Sequence, residues 1–374
     1  MIRTTLAQTN LFVLHKNFLA AEKAAAPGQL IERLAGLPAE PHLTPFLAAW
    51  ARLSHFSPRN FSQSPNFITA PLLRGVPYLV HVDDFACWLA AAARQRAQLF
   101  NAEFRLWGID SNAEIEQLGR QILAELGERP ASAGEIRAGL PQVKSLTQTS
   151  RGGRVSTITT AELALRWLVG TGQLAAVNQA EDWRAEEVIY WPLRQRYSGL
   201  DLAQLPAEAD AQKRLVRAYL AAFGPATEAD ISFWTGFGKS ETARATGALA
   251  AETTLVLVQG LPGMLLLLKE QAEALAASPA VPAEPLLNVL PANDPYLTAH
   301  RASRARYCAE PSLQRQVFAG SGAAKPAILL NGQVIGLWSG DAAAGWQLLA
   351  AVDPALEPAI AAKVAAAGAF LQTG

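Results

Sequence analysis

Glu40 and His42 lie two residues apart, on either side of Pro41, in a short run without other charged residues. A carboxylate can stabilise a developing positive charge and can act as a general base toward water. The imidazole of His42 could help to position that water or could contact a phosphate. Glu40 could equally be a solvated or capping residue before Pro41, and a lone histidine is more often structural. The spacing alone leaves these interpretations open.

Positive charge is concentrated in a few short segments that contain little opposing acid. One is Arg74-Gly75, and a second is the run from Lys144 to Arg154, where Gly152-Gly153 would allow the backbone to approach a phosphate closely. A flexible solvated loop is the alternative for the second segment. A third group follows Asp294, and it could contact a DNA backbone or form a surface ion-pair network. The residues that we consider for DNA contact are Arg74, Lys144, Arg151, Arg154, His300, Arg301, Arg304 and Arg306.

The overall composition limits the function classes. The 374 residues exceed the size of a single hydrophobic core, which predicts two or three domains. Lys plus Arg and Asp plus Glu both number 32, so the formal net charge is zero. Nucleic-acid-binding proteins usually have a basic excess, so DNA binding requires the positive charge to be gathered on one face.

The cysteines and the N-terminus predict a soluble, cytoplasmic protein. Cys87 and Cys308 are far apart and lack metal-ligand spacing, which favours a reducing compartment and no metal site. The opening MIRTTLAQTN has polar residues where a signal peptide needs an apolar core. The apolar run Met264–Leu268 is too short to span a bilayer. We also expect no cofactor.

The segment from Lys213 to Lys269 has the clearest structural pattern. A helical apolar period ends at Gly224-Pro225, and Thr227 with Asp230 predicts the capped start of a second helix. A third helix, which Ser240 could cap, precedes the apolar strands TTLVLV and MLLLLK around a Gly/Pro turn. Three helices and a hairpin are typical of a winged helix.

Two weaker copies of this pattern precede it, and a segment with predominantly strand-like patterns follows it. The first copy contains the helical QLIERLAGL and FLAAWARL and the strand-like PYLVHV. The second contains SAGEIRAGLP, TTAELALRWLVGTG and a hairpin of QLAAV with EEVIYW. After a linker rich in Pro and Ala, strands with a turn at Asn331-Gly332 lead to a C-terminal helix. We predict an α+β protein of three tandem winged helices, 1–95, 96–205 and 206–275, and a β-rich domain, 286–374.

Several blocks, in the right order along nearly the whole chain, resemble the AlkZ-like winged-helix DNA glycosylases and their YcaQ-like relatives. The block Arg33–Pro58 is similar to the family's GLQAQ and LWARL segments, and LLRGVPYLVHVDDF is similar to its RGTLHLV segment. Leu215–Phe237 is the closest match. LPANDPYLTAHRASRAR resembles LPxFDxxLLxHxxRxR, and NGQVIGLW resembles the family's late strand pair. The resemblance implies a monomeric, metal-free protein whose domains surround double-stranded DNA.

The chain departs from this family at the catalytic motif. Where the family has Gln-x-Gln, or Gln-x-Asp in the relatives, this chain has Pro38-Ala39-Glu40. Proline removes the first side-chain amide, whereas Glu40 has the length of glutamine and would be the surviving catalytic group. Tyr78 replaces a family histidine, and its ring could stack on an extruded base or pack in the core.

Two functions remain open. The first is a monofunctional DNA glycosylase that excises alkylated or bulky N7-substituted purines in base-excision repair. The second is a winged-helix DNA-binding protein without catalysis, either a lesion binder or a regulator. The match along the chain favours the first and the altered motif favours the second. The neutral net charge also leaves room for a protein-interaction role.

Overall fold

The computed structural model describes residues 1–140, 142–149, 153, 155–341 and 343–373. They form two compact units. The first unit combines Met1–Phe61 with Gln212–Gly374, and the second is Ser62–Ala211. The first unit is therefore built from both ends of the chain. Together the units have the mixed α+β composition that the sequence predicts.

The N-terminal part of the first unit contains short elements around a long buried helix. Thr5 caps that helix in a capping box with Gln8, and Leu11 and Leu14 are fully buried within it. The elements are β1 (Ile2–Thr5), α1 (Leu6–Lys16), α2 (Pro27–Arg33), β2 (Leu37–Pro38), α3 (Thr44–Trp50) and α4 (Pro58–Ser62).

The described residues of the second unit form a set of helices with three small groups of antiparallel strands. Its elements are β3 (Phe67–Pro71), β4 (Pro77–His81), α5 (Val82–Ala91), α6 (Ala93–Leu106), α7 (Asn112–Leu126), β5 (Ala131–Ser132), α8 (Ala133–Gly139), β6 (Ser145–Thr149), β7 (Val155–Thr159), α9 (Thr160–Gly170), β8 (Leu174–Asn178), β9 (Val188–Pro192) and α10 (Leu193–Arg196). Helices α7 and α9 cross at Gly119, where a Cβ atom would lie 2.8 Å from the Trp167 ring. Strand β3 pairs with β4 and β6 pairs with β7, while β5, β9 and β8 form one sheet in that order. Ser132 caps α8 in the predicted position.

The fully described segment 208–268 has the predicted order of three helices and a hairpin. It contains α11 (Glu208–Phe223), α12 (Glu228–Thr235), α13 (Lys239–Ala248), β10 (Thr253–Gln259) and β11 (Leu265–Leu268). Thr227 and Asp230 cap α12 as expected. The N-cap of α13 is Gly238 in place of Ser240, and the Glu241 carboxylate accepts the Gly238 N–H. Strand β1 pairs in parallel with β10, so the N-terminal strand joins β10 and β11 in a three-stranded sheet.

The C-terminal part of the first unit is a sheet flanked by short helices. The elements are α14 (Ala272–Ala277), β12 (Leu287–Leu290), α15 (Pro295–Thr298), α16 (Pro311–Val317), β13 (Ala327–Leu330), β14 (Gln333–Trp338), β15 (Trp346–Leu348) and α17 (Glu357–Gln372). The four strands are adjacent in chain order. Asn331 and Gly332 form the predicted turn with φ of 52° and 83°.

The C-terminal helix has one property that the sequence patterns above did not indicate. The stretch Pro354–Gln372 is long and apolar enough, by length and composition alone, to cross a membrane. Many of its apolar residues are alanines, so it does not stand out in a search for runs of large apolar residues. Ile360 and Val364 are buried in the first unit, and Phe370 stacks on Trp50 with ring centroids 5.5 Å apart. The helix therefore covers part of that unit's core.

Candidate active site and nucleic-acid interface

The segment that carries Glu40 runs from a buried strand to an exposed loop in the first unit. After α2, Gly36 has a φ of 85°, a conformation that glycine adopts at little cost, and this residue turns the chain into β2. Leu37 and Pro38 are buried, whereas Glu40 is exposed. The loop closes onto α3, where the Thr44 N–H donates to the Pro41 carbonyl at 2.9 Å.

Two hydrogen bonds tie this loop to the segment that follows β12. The side-chain amide of Asn293 donates to the Glu40 carbonyl at 2.8 Å, and the Thr44 hydroxyl donates to the Ala292 carbonyl at 2.9 Å. Within the described residues the Glu40 carboxylate has no hydrogen-bond or ion-pair partner. The backbone of Glu40 is thus held while its carboxylate remains open to water. His42 is half-buried on the same loop.

Arg74 and Tyr78 belong to the hairpin of β3 and β4 in the second unit. Tyr78 is 2% exposed and packs on Trp88 with ring centroids 5.4 Å apart. Burial raises the pKa of the Tyr78 hydroxyl, while the nearby Arg74 guanidinium, hydrogen-bonded to that hydroxyl, opposes the rise. Tyr78 is therefore a core residue, and its ring is not open to an extruded base. Arg74 is half-buried and has a φ of 55°.

Within the basic segment 144–154, the structure describes a strand at Ser145–Thr149, a part for which a flexible loop was the alternative. Strands β6 and β7 pair in antiparallel register from Ser145 opposite Thr159 to Thr149 opposite Val155. Most of its side chains are exposed, so the hairpin lacks the apolar face that marks ordinary strands in a sequence. Lys144 at its base is exposed and pairs with Glu114 at 2.7 Å. Arg151 and Arg154 lie outside the described residues.

The group after Asp294 contains both buried and exposed basic residues. His300 and Arg306 are each 1% exposed. The His300 Nδ1 atom lies 2.7 Å from the Tyr307 hydroxyl, and Arg306 donates to the Pro225 carbonyl at 2.9 Å. Desolvation, followed by the charge of Arg306, lowers the pKa of His300. Burial therefore gives His300 and Arg306 an internal role in place of the expected contact with DNA.

Asp230 explains why this group is folded inward. Its carboxylate accepts the backbone N–H groups of Arg301, Ala302 and Ser303 at 2.9, 2.7 and 3.1 Å. It also accepts the hydroxyls of Ser303 and Thr227. The residue that caps α12 thus also holds the 301–303 backbone. This contact joins distant segments, so no local sequence pattern predicts it.

Arg301 and Arg304 have outer positions and contact a neighbouring loop. Arg301 is exposed and donates to the Gly320 carbonyl at 3.1 Å, with its guanidinium 5.3 Å from the centre of the Phe233 ring. Arg304 is half-buried, donates to the Gly322 carbonyl at 3.3 Å and lies over Phe318. Arg301 retains exposed surface that could meet a phosphate.

The described residues contain no group of three or more His, Cys, Asp or Glu side chains that could hold a metal ion.

The comparisons with known proteins agree with the sequence resemblance. The model of the family "DNA glycosylase AlkZ-like" matches residues 31–373, and the chain belongs to this family. The structure is similar to that of the Streptomyces sahachiroi DNA glycosylase AlkZ, with a TM-score of 0.76 and 18% sequence identity over 98% of both chains. At this identity the likeness shows a shared fold. No curated protein sequence matches the chain.

Proposed function

We propose that the protein is a monofunctional DNA glycosylase that removes alkylated or bulky N7-substituted purines from double-stranded DNA. It would act in base-excision repair as a cytoplasmic monomer without metal or cofactor. The observation that carries this proposal is the exposed carboxylate of Glu40, which has no partner among the described residues and lies where the sequence resembles the family's catalytic motif.

The chemistry suits a single carboxylate. An N7 substituent places a positive charge on the purine, so the base leaves as a neutral molecule when the bond between C1′ and N9 breaks. The bonding pair goes to N9, and positive charge develops on the sugar. Glu40 stabilises this charge and accepts a proton from the water that attacks C1′, so that a base and an abasic site are formed.

The DNA would be held by the basic residues that retain exposed surface. We propose that Lys144, Arg151, Arg154 and Arg301 contact phosphates, with Arg74 and Arg304 in supporting positions and His42 near the reacting water. These contacts would supply sequence-independent affinity despite the neutral net charge.

A base-release assay on duplex DNA containing N7-methylguanine tests the proposal. The wild type should release the modified base, unmodified DNA should remain intact, and Glu40→Ala should be slower than wild type. A wild type that binds this DNA but releases no N7-alkylated purine would contradict the proposal.

The second candidate function is a DNA-binding protein without catalysis. Pro38 favours it, because this buried residue stands where the family motif supplies a side-chain amide. Binding without base release is the result that this alternative predicts.

A further inference from the structure

Asn293 connects the Glu40 loop to a second loop of the first unit. Its Nδ2 atom donates to the Glu40 carbonyl at 2.8 Å, and its Oδ1 atom accepts the Ala324 N–H at 3.0 Å. The Asn293 N–H also donates to the Ala324 carbonyl at 3.0 Å. One side-chain amide therefore uses both its donor and its acceptor to bridge two loops that are distant in sequence.

The backbone at Asn293 suits this bridge. Its φ is 53°, in the left-handed region that asparagine enters more readily than most residues. The pattern LPxFD, which this segment resembles, has Phe at the corresponding position, and phenylalanine has no amide to make either bond. The bridge is thus a property of this chain's own sequence.

The second loop, 319–324, is itself firmly held. Arg301 donates to the Gly320 carbonyl at 3.1 Å, and Arg304 donates to the Gly322 carbonyl at 3.3 Å. Gly322 has a φ of 104° and lies so close to Phe233 that a Cβ atom would be 2.3 Å from the ring. Asn293 therefore ties Glu40 to a supported loop.

We propose that Asn293 is a positioning residue, which fixes the Glu40 backbone and through it the direction of the exposed carboxylate. Its effect on base release rests on the proposed function, whereas its effect on the loop does not. A group that holds water against a reacting carbon must be placed within about 0.5 Å, and a supporting hydrogen bond gives that precision. The support matters more here because Pro38 supplies no amide.

Two variants separate the two bonds of the Asn293 side chain. Asn293→Asp has nearly the same shape and still accepts the Ala324 N–H, but it cannot donate to the Glu40 carbonyl and faces it with an oxygen. Asn293→Gly keeps the left-handed backbone accessible and loses both bonds. Asn331→Asp is the matched control, because Asn331 also has a positive φ of 52° and accepts the Leu286 N–H, but in a different turn.

Hydrogen exchange without DNA tests the structural part. In Asn293→Asp and Asn293→Gly, the amides of 42–44, including the Thr44 N–H that donates to the Pro41 carbonyl, should exchange about fivefold to tenfold faster, the factor expected from one lost hydrogen bond. The same amides should be unchanged in Asn331→Asp, and those of α12 and α13 should be unchanged in every variant. Equal exchange at 42–44 in wild type and both Asn293 variants would overturn the proposal, whether or not the protein releases bases.

Single-turnover base release from N7-methylguanine DNA tests the catalytic part. Asn293→Asp should slow release by about tenfold, with DNA affinity unchanged or slightly lower because the substitution adds a negative charge. In a Glu40→Ala background it should slow release no further, because the two residues act through one step. An equal loss in both backgrounds would overturn the positioning role and indicate a general structural effect. Faster exchange without slower release in an active protein would also overturn it. If the wild type releases no base, the proposed function fails and the exchange experiment still decides whether Asn293 holds the loop.

Discussion

Arg52 and Asp294 form a two-bond ion pair in which both side chains are completely inaccessible to solvent. The bonds join Nη2 to Oδ1 at 2.6 Å and Nη1 to Oδ2 at 2.8 Å. Arg52 also donates to the carbonyls of Asn17 and Ala48, each at 3.0 Å. The pair fixes the end of α3 to the segment after β12, the segment that also contacts the Glu40 loop through Asn293.

The ion pair gives a prediction about stability. Arg52→Met should lower the free energy of unfolding by about 3–5 kcal/mol, because it leaves the Asp294 carboxylate buried without its partner. Asp294→Leu should lower the free energy of unfolding by a similar amount. The double substitution should be more stable than either single variant, because no buried charge is then left without a partner. Urea unfolding followed by circular dichroism measures these differences. A loss below about 1 kcal/mol in both single variants would show that the pair contributes little.

A second prediction concerns Asp230 and acid. Burial alone would raise the pKa of Asp230, but the opposing effects of His300, the Ser303 and Thr227 hydroxyls and Arg306 together lower it from 3.8 to about 2. The folded carboxylate therefore holds its proton less tightly than the unfolded one. Its stabilising effect is complete above about pH 4 and is lost as the pH falls through about 2.

Asp230→Asn should accordingly lower the stability at pH 7 by about 2 kcal/mol, since the amide cannot accept all the donors that the carboxylate accepts. The difference from wild type should narrow between pH 4 and pH 2. Thermal unfolding of both proteins across this range provides the measurement. A difference that stays constant down to pH 2 would mean that folding does not lower the pKa of Asp230.

A third prediction concerns DNA binding by the β6–β7 hairpin. Lys144→Ala and Arg151→Ala should each weaken binding to duplex DNA of any sequence and reduce the slope of log affinity against log salt by about 1. Arg166→Ala is the control, because Arg166 is also exposed and paired with an acid, Glu103, in the second unit but lies outside the predicted contacts. Equal effects of all three variants would show only a dependence on total charge.

Local patterns predicted most of the secondary structure. The capping pairs at Ser132 and Thr227 and the Asn331-Gly332 turn lie where the sequence places them, because each depends on residues within a few positions. The pairing of β1 with β10 and the hydrogen bonds from the 301–303 backbone to Asp230 join segments that are distant in sequence. Local patterns therefore could not predict them. The β6–β7 strand pair was not predicted for another reason. Both of its faces are largely exposed, so its sequence lacks the alternation of apolar and polar residues that indicates a strand.

In the candidate site, too, the sequence indicated some residues, whereas others depend on contacts between distant segments. The motif position suggested Glu40 as the catalytic group, which stays a prediction, and the structure shows its carboxylate exposed. Residue type and the family resemblance suggested DNA contact for His300 and Arg306, but a basic side chain can equally satisfy buried carbonyls, as Arg306 does with Pro225. Asn293 could not be found, because its importance depends on the two loops that meet at its side chain.

The last prediction distinguishes two ways in which Glu40 could act. If its carboxylate removes a proton from water, Glu40→Gln should slow base release by about 10²–10⁴-fold, because an amide is not a base at neutral pH. If it only orients water, the loss should be much smaller, since the amide oxygen still accepts a hydrogen bond. DNA affinity should be unchanged or slightly higher, because the substitution removes a negative charge. Single-turnover base release and DNA binding should be measured on the same N7-methylguanine duplex, with Glu40→Ala as the reference for loss of both roles. An active wild type whose Glu40→Ala variant is equally fast would exclude Glu40 from either role, since neither a base nor a water ligand would then remain at that position.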